Sequence, residues 1–391
     1  MLWLAPPMRS PLSLPALFGL VSLGLAPTAC SSSSNGTQPG DAGGPSTTED
    51  SGITAHDSGT PDHDAAPDEA SVPVEAGPPM PAWTAYASRG SDSRWGVPLA
   101  YSTKSKTFIG FGGSKYPAAG TGGTFALSMA TGTWTQLPDS NEPTSSYCSC
   151  TTYLPDQDQV LLMAGLSDSG PLPAGAWIFD VASGAWSAVA GAVPGAGIGC
   201  AATYMPALGK AIVFGGVGTT TGYSAQTWAY DPVAKSFAQL SPAASPPPRA
   251  DSIAAYDPAN GGRMLVFAGT QDETTSANHL NDLWAFDGTT WTQLQPTGGP
   301  PPPRRVPAGA FDPVRRRWVV FGGTIETMDY GDLWLLDLAS LTWTQLPAIV
   351  APSVRGFASA GYDPGTDSSF VVRGLQSQGD TLLSDGWKLT L

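Results

Sequence analysis

Short runs in which apolar and polar residues alternate, each ended by a turn rich in Gly, Pro or Asp, follow one another along most of the chain. Residues 306–346 show the pattern most clearly. Alternation with a period of two is typical of β-strands that bury one face. This stretch is therefore predicted to form four antiparallel strands, A to D in chain order. Their predicted bounds are 306–311, 318–321, 333–338 and 342–346.

The same pattern recurs about every fifty residues. An aromatic residue of strand D returns at intervals of 51 to 54 residues, at Trp83, Trp134, Trp186, Phe237, Trp291 and Trp343. A glycine that closes the apolar strand B keeps the same step, at Gly113, Gly165, Gly216, Gly269, Gly323 and Gly374. Self-similarity at this period is typical of propellers, in which each repeat forms one four-stranded blade.

Three recurring motifs resemble those of a known family. These are the Gly-Gly pairs, the Asp-Leu-Trp at 282–284 and 332–334, and the Trp-Thr-Gln-Leu tails such as 343–346. Together they resemble kelch-repeat β-propellers over residues 82–391. The resemblance implies an all-β fold, a six-bladed kelch-type β-propeller. It implies no particular activity, because propellers serve many functions.

The sixth repeat is predicted to take its last strand from the other end of the chain. Residues 387–391 match strand C of the other repeats, and no strand D follows them. Residues 83–86 match strand D and have no blade before them. We expect the N-terminal strand to close the last blade, because this pairing covers two strand edges that would otherwise be exposed.

Composition supports an all-β protein and argues against nucleic acid as a partner. Charged residues make up 13 % of the chain, and 47 glycines and 38 prolines supply many turns. The net charge is −14, and residues 31–80 contain nine acidic side chains and no Lys or Arg. Binding to nucleic acid requires concentrated Lys and Arg, so we expect none.

The first eighty residues are predicted to be an export signal and a tether. An apolar run from Leu12 to Ala26 follows Arg9 and is typical of a signal peptide, assigned to residues 1–29. Small residues before Cys30 resemble the lipobox of bacterial lipoproteins, with Pro27 at the position where leucine is usual. That resemblance implies lipidation of Cys30 and a membrane anchor. The alternative is an ordinary secretory signal with an incidental cysteine.

Residues 30–80 contain mainly Ser, Gly, Pro, Asp, Ala and Thr and no aromatic residue. Such a segment cannot bury enough apolar surface to fold, so we expect a flexible tether. The propeller itself is assigned to residues 81–391. The predicted location is therefore the cell envelope, lipid-anchored at the outer membrane or cell surface, or otherwise secreted.

Ligand contacts are predicted on the face formed by the D–A and B–C loops, here called the long-loop face. The B–C loops are the longest connections, and long loops tolerate the variation that binding sites need. They offer aromatic and ionisable side chains: Tyr116, Tyr223, Asp272, Glu273, His279, Glu326, Asp329 and Tyr330.

Four arginines stand seven positions before the aligned aromatic residue of strand A: Arg94, Arg249, Arg304 and Arg355. One hypothesis is that they form an arc at the mouth of the channel that recognises an anion, which suits the guanidinium group. The alternative is that each pairs with an aspartate that opens strand C, at Asp282, Asp332 or Asp385. Arg94 has no such aspartate in its own blade and is the best candidate for a ligand contact, unless Asp385 reaches it.

Three cysteines lie in the propeller. Strand parity places Cys148 and Cys150 on one sheet face and Cys200 on the other, and adjacent blades pack opposite faces together. In an oxidising compartment a disulfide between blades is expected. Pairing of Cys150 with Cys200, leaving Cys148 free, is preferred over the nearly equal alternative in which Cys148 bonds Cys200.

No cofactor, metal or catalytic residue is predicted. A copper site of the galactose-oxidase type needs two histidines, and His279 is the single histidine of residues 81–391, expected to be solvated in a polar loop. The preferred function is binding of a protein or carbohydrate ligand by a monomer. The alternative resembles a bacterial exported sugar-acid epimerase, a mutarotase-like enzyme in which the arginines and Glu273 or Glu326 would serve the substrate.

Overall fold

The computed structural model describes residues 80–86, 93–115, 118–144, 146–163, 165–167, 170–171, 175–195, 197–218, 221–347 and 350–391. The expected signal peptide, Cys30, most of the expected tether, and Tyr116 lie outside the described residues. Among those that are described, no helix has the length and apolar character required to cross a bilayer.

The described strands form six four-stranded antiparallel sheets, and each sheet is one blade. Blade 1 contains Leu99–Ser102, Thr107–Phe111, Thr124–Ser128 and Thr133–Gln136. Blade 2 contains Cys150–Leu154, Gln159–Met163, Ala176–Asp180 and Ala185–Ala188. Blade 3 contains Ala201–Met205, Lys210–Phe214, Thr227–Asp231 and Ser236–Leu240. Blade 4 contains Ile253–Asp257, Arg263–Phe267, Leu283–Phe286 and Trp291–Leu294. Blade 5 contains Ala308–Asp312, Arg317–Phe321, Leu333–Asp337 and Thr342–Leu346.

The sixth blade closes the propeller as predicted. Its strands A to C are Ser359–Asp363, Ser368–Val372 and Gly386–Thr390, and its strand D is Ala82–Tyr86. In the antiparallel register, Trp83 lies opposite Leu389 and Ala85 lies opposite Trp387. The all-β, six-bladed fold is therefore confirmed, including closure by the N-terminal strand.

The B–C loops carry small elements of their own. Two-stranded ribbons occur in five blades: Ser114–Lys115 with Ala118–Gly120, Leu166–Ser167 with Gly170–Pro171, Val217–Gly218 with Gly222–Tyr223, Thr324–Ile325 with Met328–Asp329, and Leu375–Gln376 with Thr381–Leu382. Short 3-10 helices occur at Ser276–Asn278 and Ser377–Gly379.

The periodic aromatic residues of strand D hold neighbouring blades together. Four of them pack against the last phenylalanine of strand B in the preceding blade, with ring centroids 4.8–5.4 Å apart. The pairs are Trp186 with Phe111, Trp291 with Phe214, Trp343 with Phe267, and Trp83 with Phe321. Because one apolar cluster fills each of the six interfaces, the fifty-residue repeat is the repeat of an interface as well as of a blade.

A closed ring of backbone hydrogen bonds surrounds the propeller axis. Each blade contributes one residue to this ring, and all six have φ between 45° and 65°, in the left-handed region: Gly96, Cys148, Gly199, Asp251, Val306 and Phe357. The N–H of each donates to the carbonyl of its counterpart in the preceding blade, over 2.7–3.2 Å. The last link joins Gly96 to Phe357. Here the sequence interpretation was wrong about one boundary: Val306 belongs to this ring, and strand A of blade 5 begins at Ala308.

Two of the cysteines join adjacent blades. A disulfide links Cys150 of strand A in blade 2 to Cys200, the residue before strand A in blade 3, with the Cα atoms 5.5 Å apart. Cys148 is not part of that bond. It occupies the position of blade 2 in the axial hydrogen-bond ring.

Candidate functional site

The D–A and B–C loops meet on one face, as predicted. In each blade the residue just before the axial ring forms a β-bridge with the start of the B–C loop. The bridges are Trp95 with Ser114, Tyr147 with Leu166, Ile198 with Val217, Ala250 with Thr270, Arg305 with Thr324, and Gly356 with Leu375. The long-loop face is thus anchored to the axis at six equivalent points.

The centre of this face has an apolar half and a charged half. On the apolar side, Trp95 packs against Tyr147 and Phe357, with ring centroids 4.8 Å apart in both pairs. On the charged side lie Asp251, Glu273, His279, Arg305 and Glu326, here called the axial cluster. The Arg305 guanidinium, 5.6 Å from the Phe357 ring centroid, lies at the border between the halves.

Two carboxylates share one guanidinium at the heart of the axial cluster. Arg305 Nη1 lies 3.1 Å from Asp251 Oδ2 and 3.5 Å from Glu273 Oε1. The three side chains are 6 %, 6 % and 12 % exposed. The Glu273 Oε2 atom is buried and has no hydrogen-bond partner among the described residues.

His279 and Glu326 form the second part of the cluster. His279 Nδ1 lies 2.9 Å from Thr270 Oγ1, and Nε2 lies 2.8 Å from Glu326 Oε1. The imidazole is fully buried, whereas the Glu326 side chain is 25 % exposed. The expectation of a solvated loop histidine was therefore wrong. The short 3-10 helix ends at Asn278 and, with the bridge between Thr270 and His279, turns the ring inward.

Burial dominates the electrostatics of the cluster. It raises the pKa of Asp251 in spite of Arg305. It also raises the pKa of Glu273 to about 7, with Asp251, Asp272 and Glu326 adding to the effect and Arg305 opposing it. Burial lowers the pKa of His279, although Glu326 acts in the opposite direction. At neutral pH the imidazole is consequently uncharged and Glu273 stands near its midpoint.

The charges of the cluster act on neighbouring groups. Burial raises the pKa of Tyr223, and Glu273 and Asp251 raise it further. Burial raises the pKa of the Cys148 thiol, again with a contribution from Asp251. Desolvation disfavours the charged form of Arg305, but the two carboxylates hold its pKa above the ordinary value. The structure thus brings the predicted residues Tyr223, Glu273, His279 and Glu326 towards one place.

A cavity of about 160 Å³ lies on the axis next to the cluster. All six blades contribute to its wall, and the Asp251 residue belongs to both the wall and the axial cluster. Cys148 and Ser149 add further polar groups. The cluster therefore borders open space on its axial side and solvent on the side of Glu326.

Three of the four aligned arginines form ion pairs within their own blades. Both terminal nitrogens of Arg249, Arg304 and Arg355 bind the carboxylate oxygens of Asp282, Asp332 and Asp385, over 2.5–2.8 Å. Each aspartate also accepts from the indole two residues later, of Trp284, Trp334 or Trp387. Although burial opposes ionisation, the arginine hydrogen bonds hold the pKa of all three aspartates below the ordinary value.

The geometry of these arginines matches the ion-pair alternative and not an anion-binding arc at the channel mouth. Their Nη1 atoms also donate to the carbonyls of Ala268, Gly322 and Arg373, at the end of strand B. They therefore lie inside the blade. Asp385, considered as a partner for Arg94, binds Arg355 instead.

Arg94 is likewise buried. Its Nη1 donates to the carbonyls of Gly112 and Gly122, and its guanidinium lies 4.6 Å from the Phe125 ring centroid. This geometry does not support the hypothesis that Arg94 is an accessible ligand contact, because the buried side chain binds backbone carbonyls of blade 1.

The other predicted loop residues lie outside the axial cluster. The Tyr330 ring packs on the Arg304 guanidinium, with the ring centroid 4.1 Å from the Cζ atom. Asp329 is buried and accepts from the Ser377 N–H, which links the B–C loops of blades 5 and 6. Asp272 caps its own turn by accepting from the Thr274 N–H.

Sequence reasoning missed Asp251 and Arg305, the ion pair at the heart of the axial cluster. A signal was present, because both interrupt the repeat with a charge. The ring positions equivalent to Asp251 are Gly, Cys, Gly, Val and Phe, and those equivalent to Arg305 are Trp, Tyr, Ile, Ala and Gly. Within the described part of the chain, no group of three or more His, Cys, Asp or Glu side chains is arranged to hold a metal ion.

Comparison with known proteins agrees with the geometry. The fold defines a six-bladed β-propeller. The KLHDC2/KLHL20/DRC7 Kelch-repeats domain matches residues 156–362, more than half of the chain. The chain therefore belongs to the kelch-repeat family, whose domains generally mediate protein interactions.

Individual relatives match over shorter stretches. Acyl-CoA-binding domain-containing protein 5 of Arabidopsis thaliana is 36% identical over 86 residues, 22% of this chain and 13% of that protein. Dynein regulatory complex subunit 7 of Chlamydomonas reinhardtii is 37% identical over 101 residues, 25% of this chain and 8% of that protein. The chain thus matches a small part of the length of each relative.

Proposed function

We propose that this protein is an exported, lipid-anchored kelch propeller that binds a protein or glycan ligand through its long-loop face. The main supporting observation is the axial cluster, where four loops of blades 4 and 5 bring four ionisable side chains and the Arg305 guanidinium together beside an open cavity. Buried charges are costly unless they are paired or functional. The residues of this cluster do not recur at the equivalent positions of the other blades. The buried Arg–Asp pairs, in contrast, recur in blades 4, 5 and 6.

Peptide and glycan arrays probed with the full chain test the binding function. We expect bound spots to be lost in a Glu273→Gln/Glu326→Gln double variant, because Glu326 lies on the solvent side of the cluster and Glu273 is close enough to feel its charge. Asp367→Asn on the opposite face is the matched control, since it also removes an acidic charge and should leave binding intact. Equal binding by all three proteins would contradict the use of the long-loop face.

The anchor is proposed from Cys30 and the residues around it. Lipidation joins a fatty acyl group to the protein and anchors it to a membrane. We expect the wild-type protein to incorporate radioactive palmitate and a Cys30→Ser variant to incorporate none. Absence of label in the wild type, with secretion into the medium, would replace the anchor by an ordinary signal peptide.

A mutarotase-like enzyme acting on a sugar acid is the second candidate. It is favoured by Glu273, because a carboxyl group with a pKa of about 7 is suited to acid–base catalysis near neutral pH. The charge of the site opposes it, since three carboxylates would repel an anionic substrate. Faster anomer exchange of N-acetylneuraminate in the presence of the wild type, lost in Glu273→Gln, would favour the enzyme over the binding protein.

A further inference from the structure

The axial cluster has more negative than positive groups. Its members are three carboxylates, one guanidinium and one imidazole. Because burial lowers the pKa of His279, the imidazole adds no charge at neutral pH. Arg305 therefore compensates one of the three carboxylates, and it is closer to Asp251 than to Glu273.

Within the axial cluster, one buried carboxylate oxygen has no donor among the described residues. Glu273 Oε2 is buried without a hydrogen bond among the described residues, and Oε1 lies 3.5 Å from a guanidinium nitrogen that Asp251 already uses. A buried acceptor that remains unsatisfied costs about 1–3 kcal/mol. A donor that entered the cluster between Glu273 and Glu326 would remove this cost.

Arg305 and Phe357 show that the axis already accommodates one cation beside an aromatic ring. Tyr223, half-buried at the rim of the cluster, offers a second ring and hydroxyl. Lys and Arg side chains bury their aliphatic stems against such surfaces while the charged ends meet carboxylates. The adjoining cavity is bordered by Asp251 of the cluster.

We propose that the axial cluster binds a cationic group of a partner protein, the ammonium or guanidinium of a Lys or Arg side chain, between Glu273 and Glu326. The inference rests on the proposed function and narrows its ligand from any protein or glycan to a protein segment with an exposed basic residue. The partner's cation would compensate a second carboxylate, in addition to the one that Arg305 compensates.

Binding of this kind is coupled to protons. The charges that act on Glu273 are those of Asp251, Asp272, Glu326 and Arg305, and the Glu273 charge acts on Tyr223 and Cys148. His279 interacts with Glu326, Arg305 and Asp251. A cation that binds the Glu273 carboxylate displaces the proton that the free site holds near neutral pH. Its affinity should consequently increase about tenfold per pH unit from pH 5 to pH 7, and level off above pH 7.

The test uses end-blocked pentapeptides with lysine, arginine, norleucine or glutamate at the centre, titrated by calorimetry into the full chain. We expect saturable binding of the lysine or arginine peptide, and at least tenfold weaker binding of the norleucine peptide. Glu273→Gln should weaken the basic peptide at least tenfold. Asp272→Asn, the charge-matched control on the same loop, should change its affinity less than about threefold.

Three outcomes would overturn the proposal: no saturable binding of either basic peptide, stronger binding of the glutamate peptide, or equal weakening by Glu273→Gln and Asp272→Asn. Proton release, measured as a dependence of the binding enthalpy on the buffer, separates a specific site from general attraction to an acidic surface. If array ligands depend on the long-loop face but contain no basic residue, the inference fails while the proposed function stands. Array binding that does not depend on this face removes both.

Discussion

Trp83 packs edge to face against Phe321, with ring centroids 5.4 Å apart and planes at 66°. This contact joins the first described strand to blade 5, while the same strand is hydrogen-bonded to the last strand of blade 6. The tryptophan is 8 % exposed and belongs to the apolar cluster that fills the interface between these blades. One side chain therefore supports both the closure of the sixth blade and its packing on the fifth.

Replacement of this tryptophan should destabilise the whole propeller. We expect Trp83→Ala to lower the free energy of unfolding in urea by about 3–5 kcal/mol, because a large buried aromatic side chain is lost. Thr84→Ala on the same strand is exposed and should change it by less than about 0.5 kcal/mol. Similar losses for both variants would show that closure does not depend on the packing of Trp83.

The buried Arg–Asp pairs should contribute far more than an exposed pair of the same geometry. Arg304–Asp332 and Arg315–Asp367 both form two hydrogen bonds over 2.6–2.7 Å, but Asp332 is 17 % and Asp367 is 55 % exposed. We expect Asp332→Asn to cost about 3 kcal/mol and Asp367→Asn less than about 1 kcal/mol, both measured by urea unfolding at pH 7. Equal costs would contradict the importance of burial.

The architecture of this chain is more readable from its sequence than its site is. The aromatic positions of strand D, Trp83 included, predicted six interfaces because each interface repeats the same contact. The Asp-Leu-Trp motifs likewise carried the information that Arg304 and Asp332 are paired. Repetition makes such features recognisable, because a position that is unclear in one repeat can be interpreted from the equivalent positions in the others.

The axial cluster could not be predicted in the same way. Asp251 and Arg305 come from different blades, and their distance depends on how blades 4 and 5 meet at the axis. His279 was expected in solvent because a polar loop surrounds it in sequence, yet the bridge to Thr270 buries the ring. Alignment of the repeats would reveal these residues only as exceptions, without showing that the exceptions lie together.

The axial ring of hydrogen bonds should tolerate no side chain at Gly199. Gly199 and Gly209 have nearly equal φ values of 61° and 62°, but a Cβ at Gly199 would lie 2.4 Å from Asp251 Oδ1 and 2.8 Å from its backbone nitrogen, and a Cβ at Gly209 meets nothing within 4 Å. Both alanine variants incur the left-handed backbone penalty of about 1 kcal/mol. We expect Gly199→Ala to lower the melting temperature clearly more than Gly209→Ala.

The disulfide between blades 2 and 3 should be detectable directly. Peptide mapping without reductant is expected to recover Cys150 and Cys200 as a linked pair, with the Cys148 thiol alkylated. A loop of this length gives a stabilisation of about 2–4 kcal/mol, so a Cys150→Ser/Cys200→Ser variant should unfold at lower urea. Cys148→Ser is the control and should keep the linked pair. Recovery of a Cys148–Cys200 pair would favour the alternative connectivity.

Glu273 should make stability depend on pH in a direction opposite to that of the paired aspartates. Its pKa is about 7 in the folded protein against an ordinary value of 4.5, so the folded state holds the additional proton between these values. Stability from this group is therefore lost as the pH rises through 7. We expect Glu273→Gln to be more stable relative to the wild type at pH 8 than at pH 5, by about 2–3 kcal/mol.

The measurement is urea unfolding of both proteins at the two pH values. The opposite sign applies to Asp332, whose pKa lies below the ordinary value. Its contribution is present at neutral pH and is lost as the pH falls through that lowered pKa. A stability difference between Glu273→Gln and the wild type that stays constant from pH 5 to pH 8 would contradict the raised pKa.

The ring that passes from Gly96 through all six blades and back contains no covalent link between blades. Each of its hydrogen bonds joins two neighbouring blades, so the ring does not depend on which two neighbours the polypeptide connects. A gene rearranged to start in any D–A loop, with the present ends joined, would encode the same circle of contacts.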